Sequence, residues 1–181
     1  MAIEIEKKYR LTIEQLDDVT QALIEDGADF IGEGEEENVI YGSPNLDSNC
    51  AIIRIRNTGK RSVVTFKRRI ESDLAIKKQI EYESVIADPE AVAAILRNLG
   101  LEIRLIYEKR RRTWKYGGVE VVLDELPFGR YMEIEGSVLE IAEAEMRLGI
   151  ELYVAEHETY PTLTAKFGKM NDGVVEARFA A

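Results

Sequence analysis

Four short segments of this 181-residue chain carry two like charges separated by a single residue. They are Glu4-Ile5-Glu6, Arg54-Ile55-Arg56, Glu81-Tyr82-Glu83 and Glu133-Ile134-Glu135. Side chains alternate between the two faces of a β-strand, so each segment, if extended, puts both charges on one face and an apolar side chain on the other. Like charges side by side repel each other, which predicts that something between these strands compensates them.

Composition narrows the classes of protein to which the chain can belong. A net charge of −10 disfavours non-specific binding to nucleic acid or to an anionic membrane. The single cysteine, Cys50, excludes an internal disulfide framework and a thiolate zinc site. No apolar run approaches the roughly 20 residues of a membrane-spanning helix, and the charged N-terminal sequence shows no signal peptide. We therefore expect a cytoplasmic protein.

Hydrophobic alternation predicts seven or eight strands. They cover residues 3–10, 38–42, 51–57, 62–69, 77–86, 103–116, 118–125 and 130–136. Loops of hairpin length, carrying Gly59, Ser72-Asp73 and Gly117-Gly118, join several of them, so the sheet should be largely antiparallel. We expect residues 33–37 to form a solvated acidic turn or strand entry and residues 43–49 a loop.

Capping signals predict helices between these strands. Thr12 with Gln15 and Ser137 with Glu140 fit the capping-box pattern, and Asp88-Pro89 fits a helix start with proline in the first turn. A last helix is expected around Pro161, within residues 157–170, whereas residues 171–181 show little pattern. Because no repeat or linker interrupts the chain, we expect one domain over residues 1–181.

Charged side chains fall on one parity of most predicted strands and apolar side chains on the other. A sandwich with a solvated charged face is one explanation, and it is open for any single pair. Exposed faces usually mix the two signs, whereas here acids group with acids and bases with bases. Since helices are available to cover the apolar faces, we predict an α+β fold in which the charged face lines a closed antiparallel barrel.

A charged barrel interior requires a charged ligand. Lysine and arginine side chains that converge there would bind a chain of phosphates, arginine through its two-pronged guanidinium. Carboxylates would instead hold Mg²⁺ or Mn²⁺, hard cations that also bind phosphate oxygens. This combination indicates phosphoryl or nucleotidyl transfer.

The ordered motifs resemble the CYTH superfamily, the triphosphate tunnel metalloenzymes. Glu4-x-Glu6-x-Lys8 is similar to the family's ExExK signature. The further matches follow in order: the strand from Asn38 to Tyr41, Arg54-x-Arg56, Thr65-x-Lys67, Glu81-x-Glu83, Lys109-x-Arg111, Asp124, and Gly129 before Glu133-x-Glu135. The resemblance implies an eight-stranded antiparallel barrel, with helices outside, whose tunnel binds a triphosphate.

The resemblance also implies roles for individual residues. Phosphate would be bound by Lys8, Arg54, Arg56, Lys67, Lys109 and Arg111. Metal would be held by Glu4, Glu6, Glu133 and Glu135, with Asp124 close by, and Glu81 and Glu83 would hold a second metal or order the basic residues. Among these, Glu4, Glu6 and Lys8 are the predicted catalytic residues.

Three functions fit this set of phosphate-binding and metal-binding residues. A triphosphatase would hydrolyse tripolyphosphate, thiamine triphosphate or a nucleotide, whereas a class IV adenylyl cyclase would convert ATP to cyclic AMP and pyrophosphate. The His-Phe pair that often precedes ExExK in bacterial cyclases is missing here, where Met1-Ala2-Ile3 precedes Glu4, which favours hydrolysis. The third possibility is a non-catalytic polyphosphate- or nucleotide-binding module. Family members are often homodimers, so a homodimer is possible.

Overall fold

The computed structural model describes residues 2–70 and 76–180. The strands in these ranges are β1 (Ala2–Leu11), β2 (Asp29–Gly42), β3 (Ala51–Asn57), β4 (Ser62–Ile70), β5 (Lys77–Ile86), β6 (Glu102–Tyr116), β7 (Val119–Leu126), β8 (Gly129–Glu135), β9 (Lys169–Asn171) and β10 (Val174–Ala177). The helices are α1 (Ile13–Glu25), α2 (Pro44–Ser48), α3 (Pro89–Asn98), α4 (Val138–Leu148) and α5 (Tyr160–Phe167).

Eight strands form a closed ring. Their order is β2-β3-β4-β5-β1-β8-β7-β6, and β6 pairs with β2 to complete it. Every neighbouring pair in the ring is antiparallel. The long β2–β6 pairing contains two register shifts, near Gly32 and Tyr41, so the ring is not evenly barrel-shaped. The prediction of an α+β fold with a closed eight-stranded antiparallel sheet is confirmed.

Strand register places the like-charge pairs side by side on the inner face. Glu6 lies opposite Glu135, and Lys8 lies opposite Glu133, where β1 meets β8. Residues directly opposite each other in an antiparallel pair share a face. The charges that the sequence pattern grouped on one parity are therefore adjacent in space.

The outer face of the ring is apolar and covered by helices. On one side α1 and α4 pack on β1, β6, β7 and β8, in a cluster that includes Leu23, Trp114, Ile134 and Ile141. On the other side α3 packs through Leu96, close to Tyr41 and Ile55. Burial of these apolar side chains beneath the helices stabilises the ring. The interior of the ring can therefore retain its charged side chains.

Helix α5 occupies a different position, at one end of the ring. Its residues Tyr160 and Leu163 pack against Ile40, Tyr107 and Tyr131, which point into the ring. The prediction of helices on the outside therefore describes α1, α3 and α4, whereas α5 covers one end of the interior. No helix of the described chain is long and apolar enough to cross a membrane.

Local sequence signals determine where most of the helices and strands begin and end. Both capping boxes form, at Thr12 and at Ser137, and α4 ends at Gly149, whose φ of 66° suits glycine. Three features differ from the sequence expectation: β2 already begins at Asp29, the short helix α2 forms in the predicted loop, and β9 and β10 form in the tail. The predicted Ser72-Asp73 turn lies outside the described residues.

Candidate functional site

The ring encloses a cavity of about 670 Å³. All but one of the residues predicted from the sequence line it: Glu4, Glu6, Lys8, Arg54, Arg56, Lys67, Glu81, Glu83, Lys109, Arg111, Glu133 and Glu135. The exception is Asp124, whose side chain has no solvent-accessible surface and lies beneath the lining. The structure thus brings the predicted acids and bases together around one space.

Asp124 is the buried anion beneath two of the cations. Its carboxylate accepts hydrogen bonds from Arg111 Nε at 2.7 Å and Nη2 at 2.6 Å, from Lys109 Nζ at 3.2 Å and from the Tyr160 hydroxyl at 2.8 Å. Burial alone would lower the pKa of Arg111, but Asp124 outweighs it and raises that pKa well above its ordinary value. Arg111 therefore remains charged in the cavity wall, and the role of Asp124 near a metal stays a prediction.

Glu133 joins Lys8 and Arg111 across the cavity wall. One carboxylate oxygen lies 3.2 Å from Lys8 Nζ, and the other lies 2.9 Å from Arg111 Nη2. Burial disfavours the ionised form, but these cations outweigh it and hold the pKa of Glu133 well below its usual range. Glu133 is therefore an anion at neutral pH, engaged by residues that we expected to bind phosphate.

The two arginines of β3 face a second group of acids. Arg56 lies 3.0 Å from Glu83 Oε2 and 3.8 Å from Glu36 Oε1, and Glu36 also lies 3.4 Å from Lys109. Burial would raise the pKa of Glu36, but Lys109, Arg111 and Arg56 outweigh it and lower that pKa to about 2. The sequence reasoning missed Glu36. Acids occupy both parities of residues 33–37, so alternation could not reveal it, and its pairing opposite Lys109 of β6 places it in the site.

Lys67 and Lys77 engage the acids of β1 and β5. Lys67 Nζ lies 2.6 Å from Glu81 and 3.1 Å from Glu4, and Lys77 Nζ lies 3.4 Å from Glu6. Burial, with Lys8 nearby, lowers the pKa of Lys77 to about 8, against the opposing effect of Glu6. The sequence reasoning did not assign Lys77 to the site, although it has the same parity on β5 as Glu81 and Glu83, and this parity is the signal that could have revealed it.

One part of the wall carries negative charge that few cations offset. Glu6, Glu135 and Glu120 lie in neighbouring positions on β1, β8 and β7. Burial, together with Glu4 and Glu120, raises the pKa of Glu135 to about 7. Within residues 2–70 and 76–180, no three acidic side chains are placed to hold a metal ion without moving. A row of oxygen donors with excess negative charge nevertheless suits a hard divalent cation.

The first turn of α5 and its cap also line the cavity, through Thr159, Tyr160, Pro161 and Thr162. Tyr160 is buried, and its ring centroid lies 3.8 Å from Lys8 Nζ and 5.3 Å from Lys109 Nζ. Sequence reasoning assigned these residues no place in the site, because strand alternation says nothing about a segment outside the sheet.

Comparison with known proteins identifies the type of domain. The sequence model of a family described as CYTH domain matches residues 2–167. The structure is similar to PH1012 from Pyrococcus horikoshii OT3, with 25% identity, a TM-score of 0.76, and 88% of this chain and 98% of that chain covered. No curated protein matches this sequence.

Two further solved structures show the same fold at lower identity. One is a protein from Vibrio parahaemolyticus proposed to be an adenylate cyclase, with 19% identity, a TM-score of 0.71, and 90% of this chain and 98% of that chain covered. The other is HpAC1 from Hippeastrum, proposed to be an adenylyl cyclase and described as having a dominant triphosphatase activity. It is 17% identical, with a TM-score of 0.67, and the match covers 95% of this chain and 99% of that chain.

Proposed function

This chain belongs to the CYTH family, and on that premise we propose that it is a metal-dependent triphosphatase acting on tripolyphosphate or a related organic triphosphate. Enzymes of this family are generally dependent on a divalent metal. The observation that carries the proposal is the division of the cavity wall into a part dominated by lysine and arginine and a row of Glu6, Glu135 and Glu120.

The basic part of the wall suits a chain of phosphates. We assign substrate binding to Lys8, Arg54, Arg56, Lys67, Lys109 and Arg111. Buried carboxylates engage these cations and hold them in place, as Asp124 does for Arg111. A phosphate oxygen that reaches them meets guanidinium and ammonium groups already oriented toward the cavity, in a space where the attraction is screened less than in water.

Carboxylates of the cavity wall suit the metal. We assign metal binding to Glu6 and Glu135 of the acidic row, and to Glu4 and Glu133, which are now paired with basic residues. Glu81 and Glu83 are assigned as ligands of a second ion or as partners of the basic residues. A bound Mg²⁺ or Mn²⁺ ion would supply positive charge to the reacting phosphate. Lys8 lies next to both the phosphate-binding and the metal-binding residues, since it pairs with Glu133 and lines the cavity. Its ammonium can therefore hold positive charge at the phosphate undergoing reaction.

A class IV adenylyl cyclase is the second candidate, and the fold shared with the Vibrio parahaemolyticus protein favours it. Cyclisation and hydrolysis need the same cations and metal, but they differ in which phosphorus atom is attacked. The missing His-Phe before Glu4 and the triphosphatase activity described for HpAC1 support hydrolysis. A binding module without activity would need mainly the basic residues, so the retained acids count against it.

Product analysis separates these functions. The purified protein is incubated with tripolyphosphate, ATP or thiamine triphosphate, each with Mg²⁺ or Mn²⁺, and the products are resolved. Orthophosphate released from tripolyphosphate supports the triphosphatase, and cyclic AMP with pyrophosphate supports the cyclase. Tight binding without turnover of any of the three would refute both enzymes.

Variants of the basic residues test the assigned binding role. Arg56→Ala and Lys67→Ala should raise the KM for the triphosphate, because each removes a cation that faces the cavity. Arg110→Ala is the matched control, since Arg110 is half exposed and pairs with Glu35. Unchanged saturation by substrate in both cavity variants would count against the assignment.

A further inference from the structure

The six residues before α5 enter the ring alongside β1. The backbone N–H of Glu156 donates to the Lys8 carbonyl at 2.7 Å, and Ala155 forms a β-bridge with Tyr9. Three residues after Glu156, Thr159 caps α5. This path brings the Glu158 carbonyl and the Tyr160 ring to the lysines of the cavity.

The Glu158 carbonyl accepts hydrogen bonds from two of these lysines. Lys8 Nζ lies 3.1 Å from this oxygen and Lys77 Nζ lies 3.2 Å from it. A peptide carbonyl is a neutral acceptor. It therefore fixes the positions of two ammonium groups and leaves their positive charge available to an anion, which a carboxylate partner would not do.

Tyr160 makes a second neutral contact with the same lysine cluster. Its ring lies 3.8 Å from Lys8 Nζ and 5.3 Å from Lys109 Nζ, and only 1–2% of either lysine is exposed. A cation held over an aromatic face is stabilised most when both are out of water. The Tyr160 hydroxyl donates to Asp124 at 2.8 Å, which fixes the orientation of the ring.

Three contacts surround the Lys8 ammonium. They are the ion pair with Glu133 at 3.2 Å, the hydrogen bond to the Glu158 carbonyl and the face of the Tyr160 ring. Only Glu133 is charged. Exchange of that one contact for a phosphate oxygen would leave the other two in place, so the ammonium would not have to be repositioned when the substrate binds.

We propose that Tyr160 is a positioning residue that holds Lys8 and Lys109 for phosphate binding, with the Glu158 carbonyl holding Lys8 and Lys77 from the same segment. The inference rests on the proposed function, because it supposes that these lysines bind phosphate. Glu158 and Tyr160 thus belong to the site, although neither lies on a charged strand of the ring. The ring of Tyr160, rather than its hydroxyl, carries most of the effect.

The test compares Tyr160→Leu with Tyr160→Phe. Binding of tripolyphosphate is measured by calorimetry in EDTA, so that neither metal nor turnover enters the result. Tyr160→Leu should raise the Kd about 10-fold or more, because it removes the aromatic face from two buried cations. Tyr160→Phe keeps the ring and should stay within about 3-fold of the wild type, since the rings of Tyr107 and Tyr131 still pack against it and orient it.

Phe167→Leu is the matched control, because Phe167 is an aromatic residue of the same helix that is half exposed and packs on Phe128. Its Kd should stay within about 3-fold of the wild type. A folded Tyr160→Leu protein that binds tripolyphosphate as tightly as the wild type would overturn the proposal. Wild-type binding without hydrolysis in Mg²⁺ would refute the triphosphatase and leave this comparison valid. Absence of wild-type binding in EDTA would overturn the positioning role of Tyr160, and the triphosphatase would still be judged by its products in Mg²⁺.

A second measurement decides the matter if Tyr160→Leu does not fold. The Lys8 ε-methylene is bonded to the ammonium group that lies over the Tyr160 ring, so its proton NMR signals should be shifted upfield in the free wild-type protein and in Tyr160→Phe. Signals at ordinary lysine positions in both proteins would show that the ring does not hold the ammonium group and would overturn the proposal.

Discussion

Arg111 and Asp124 form a two-point ion pair, in which Nε donates to Oδ1 at 2.7 Å and Nη2 donates to Oδ2 at 2.6 Å. The pair joins neighbouring strands, β6 and β7, where these two residues lie directly opposite each other. Asp124 is completely buried, and it also accepts a hydrogen bond from Lys109. One anion beneath the wall thus supports two cations that face the cavity.

Asp124→Asn should destabilise the fold strongly. The substitution preserves shape but removes the buried anion that Lys109 and Arg111 share, and loss of one partner of a buried pair costs about 3–5 kcal/mol. Urea unfolding at pH 7 measures the change. The control is Glu35→Gln, which breaks an exposed pair with Arg110 and should cost under about 1 kcal/mol. Equal stability of the two variants would contradict this account.

Glu36 should make stability depend on pH in the acid range. Its pKa falls from an ordinary 4.5 to about 2 in the folded protein, where burial is outweighed by Lys109, Arg111 and Arg56. The folded state therefore binds fewer protons than the unfolded chain between these values. The stabilisation is complete above about pH 4.5 and is lost as the pH falls through about 2, with a size on the order of 3 kcal/mol.

The measurement for Glu36 compares unfolding of the wild type and Glu36→Gln at a series of pH values. The wild type should be the more stable protein at pH 6, and the difference should shrink toward pH 2. Glu33→Gln serves as the control, because Glu33 is exposed on the same strand, and its difference from the wild type should not vary in this way. A pH-independent difference for Glu36→Gln would mean that the carboxylate is not held by these cations.

Strand alternation predicted the interior well wherever one parity was charged and the other apolar. It placed the acids of β1 and β8 and the bases of β3 on one inner face because a one-residue shift would bury those charges among the helices. It failed at residues 33–37, where acids occupy both parities and only the pairing with β6 decides that Glu36 points inward.

The remaining differences depend on contacts distant in sequence. Residues 169–171 and 174–177 form strands because β10 pairs with Leu105, Ile106 and Tyr107 of β6, and such short segments carry no periodicity of their own. Tyr160 belongs to the site only because the preceding residues follow β1 into the ring. Neither placement could be inferred from local pattern.

Glu135→Gln should separate stability from metal binding. The carboxylate lies between Glu6 and Glu120, and among the described residues it has no ion-pair partner. Neutralising it relieves repulsion, so stability at pH 8 in EDTA should be equal to or greater than that of the wild type. If Glu135 is a metal ligand, the affinity for Mn²⁺ should fall at least about tenfold, and turnover should fall with it.

Chemical unfolding in EDTA and titration with Mn²⁺ followed by electron paramagnetic resonance supply the two readouts for Glu135. Glu143→Gln, an exposed change on α4, should alter neither. Wild-type turnover should disappear in EDTA and return with added Mg²⁺ or Mn²⁺. A Glu135→Gln protein with unchanged Mn²⁺ affinity would remove this residue from the metal-binding set.

Gly168→Ala should loosen the contact between α5 and the C-terminal hairpin of β9 and β10. An added Cβ would lie 2.6 Å from the Thr164 carbonyl oxygen, 2.9 Å from the Glu176 carbonyl oxygen and 2.8 Å from the Val175 side chain. The two oxygens belong to the backbone of α5 and of β10, so the clash can be relieved only if these elements move apart. We expect a loss of about 1–3 kcal/mol in stability.

The backbone at Gly168 has a φ of −70°, which alanine adopts readily, so any loss must come from packing rather than from backbone strain. Gly34→Ala is the matched control, because an added Cβ there meets no atom within 4 Å. Amide hydrogen exchange should speed up in Gly168→Ala at Val175 and Ala177, whose strand pairs with β6, and should not change there in Gly34→Ala. Unchanged exchange in both variants would show that the hairpin does not depend on this close approach to α5.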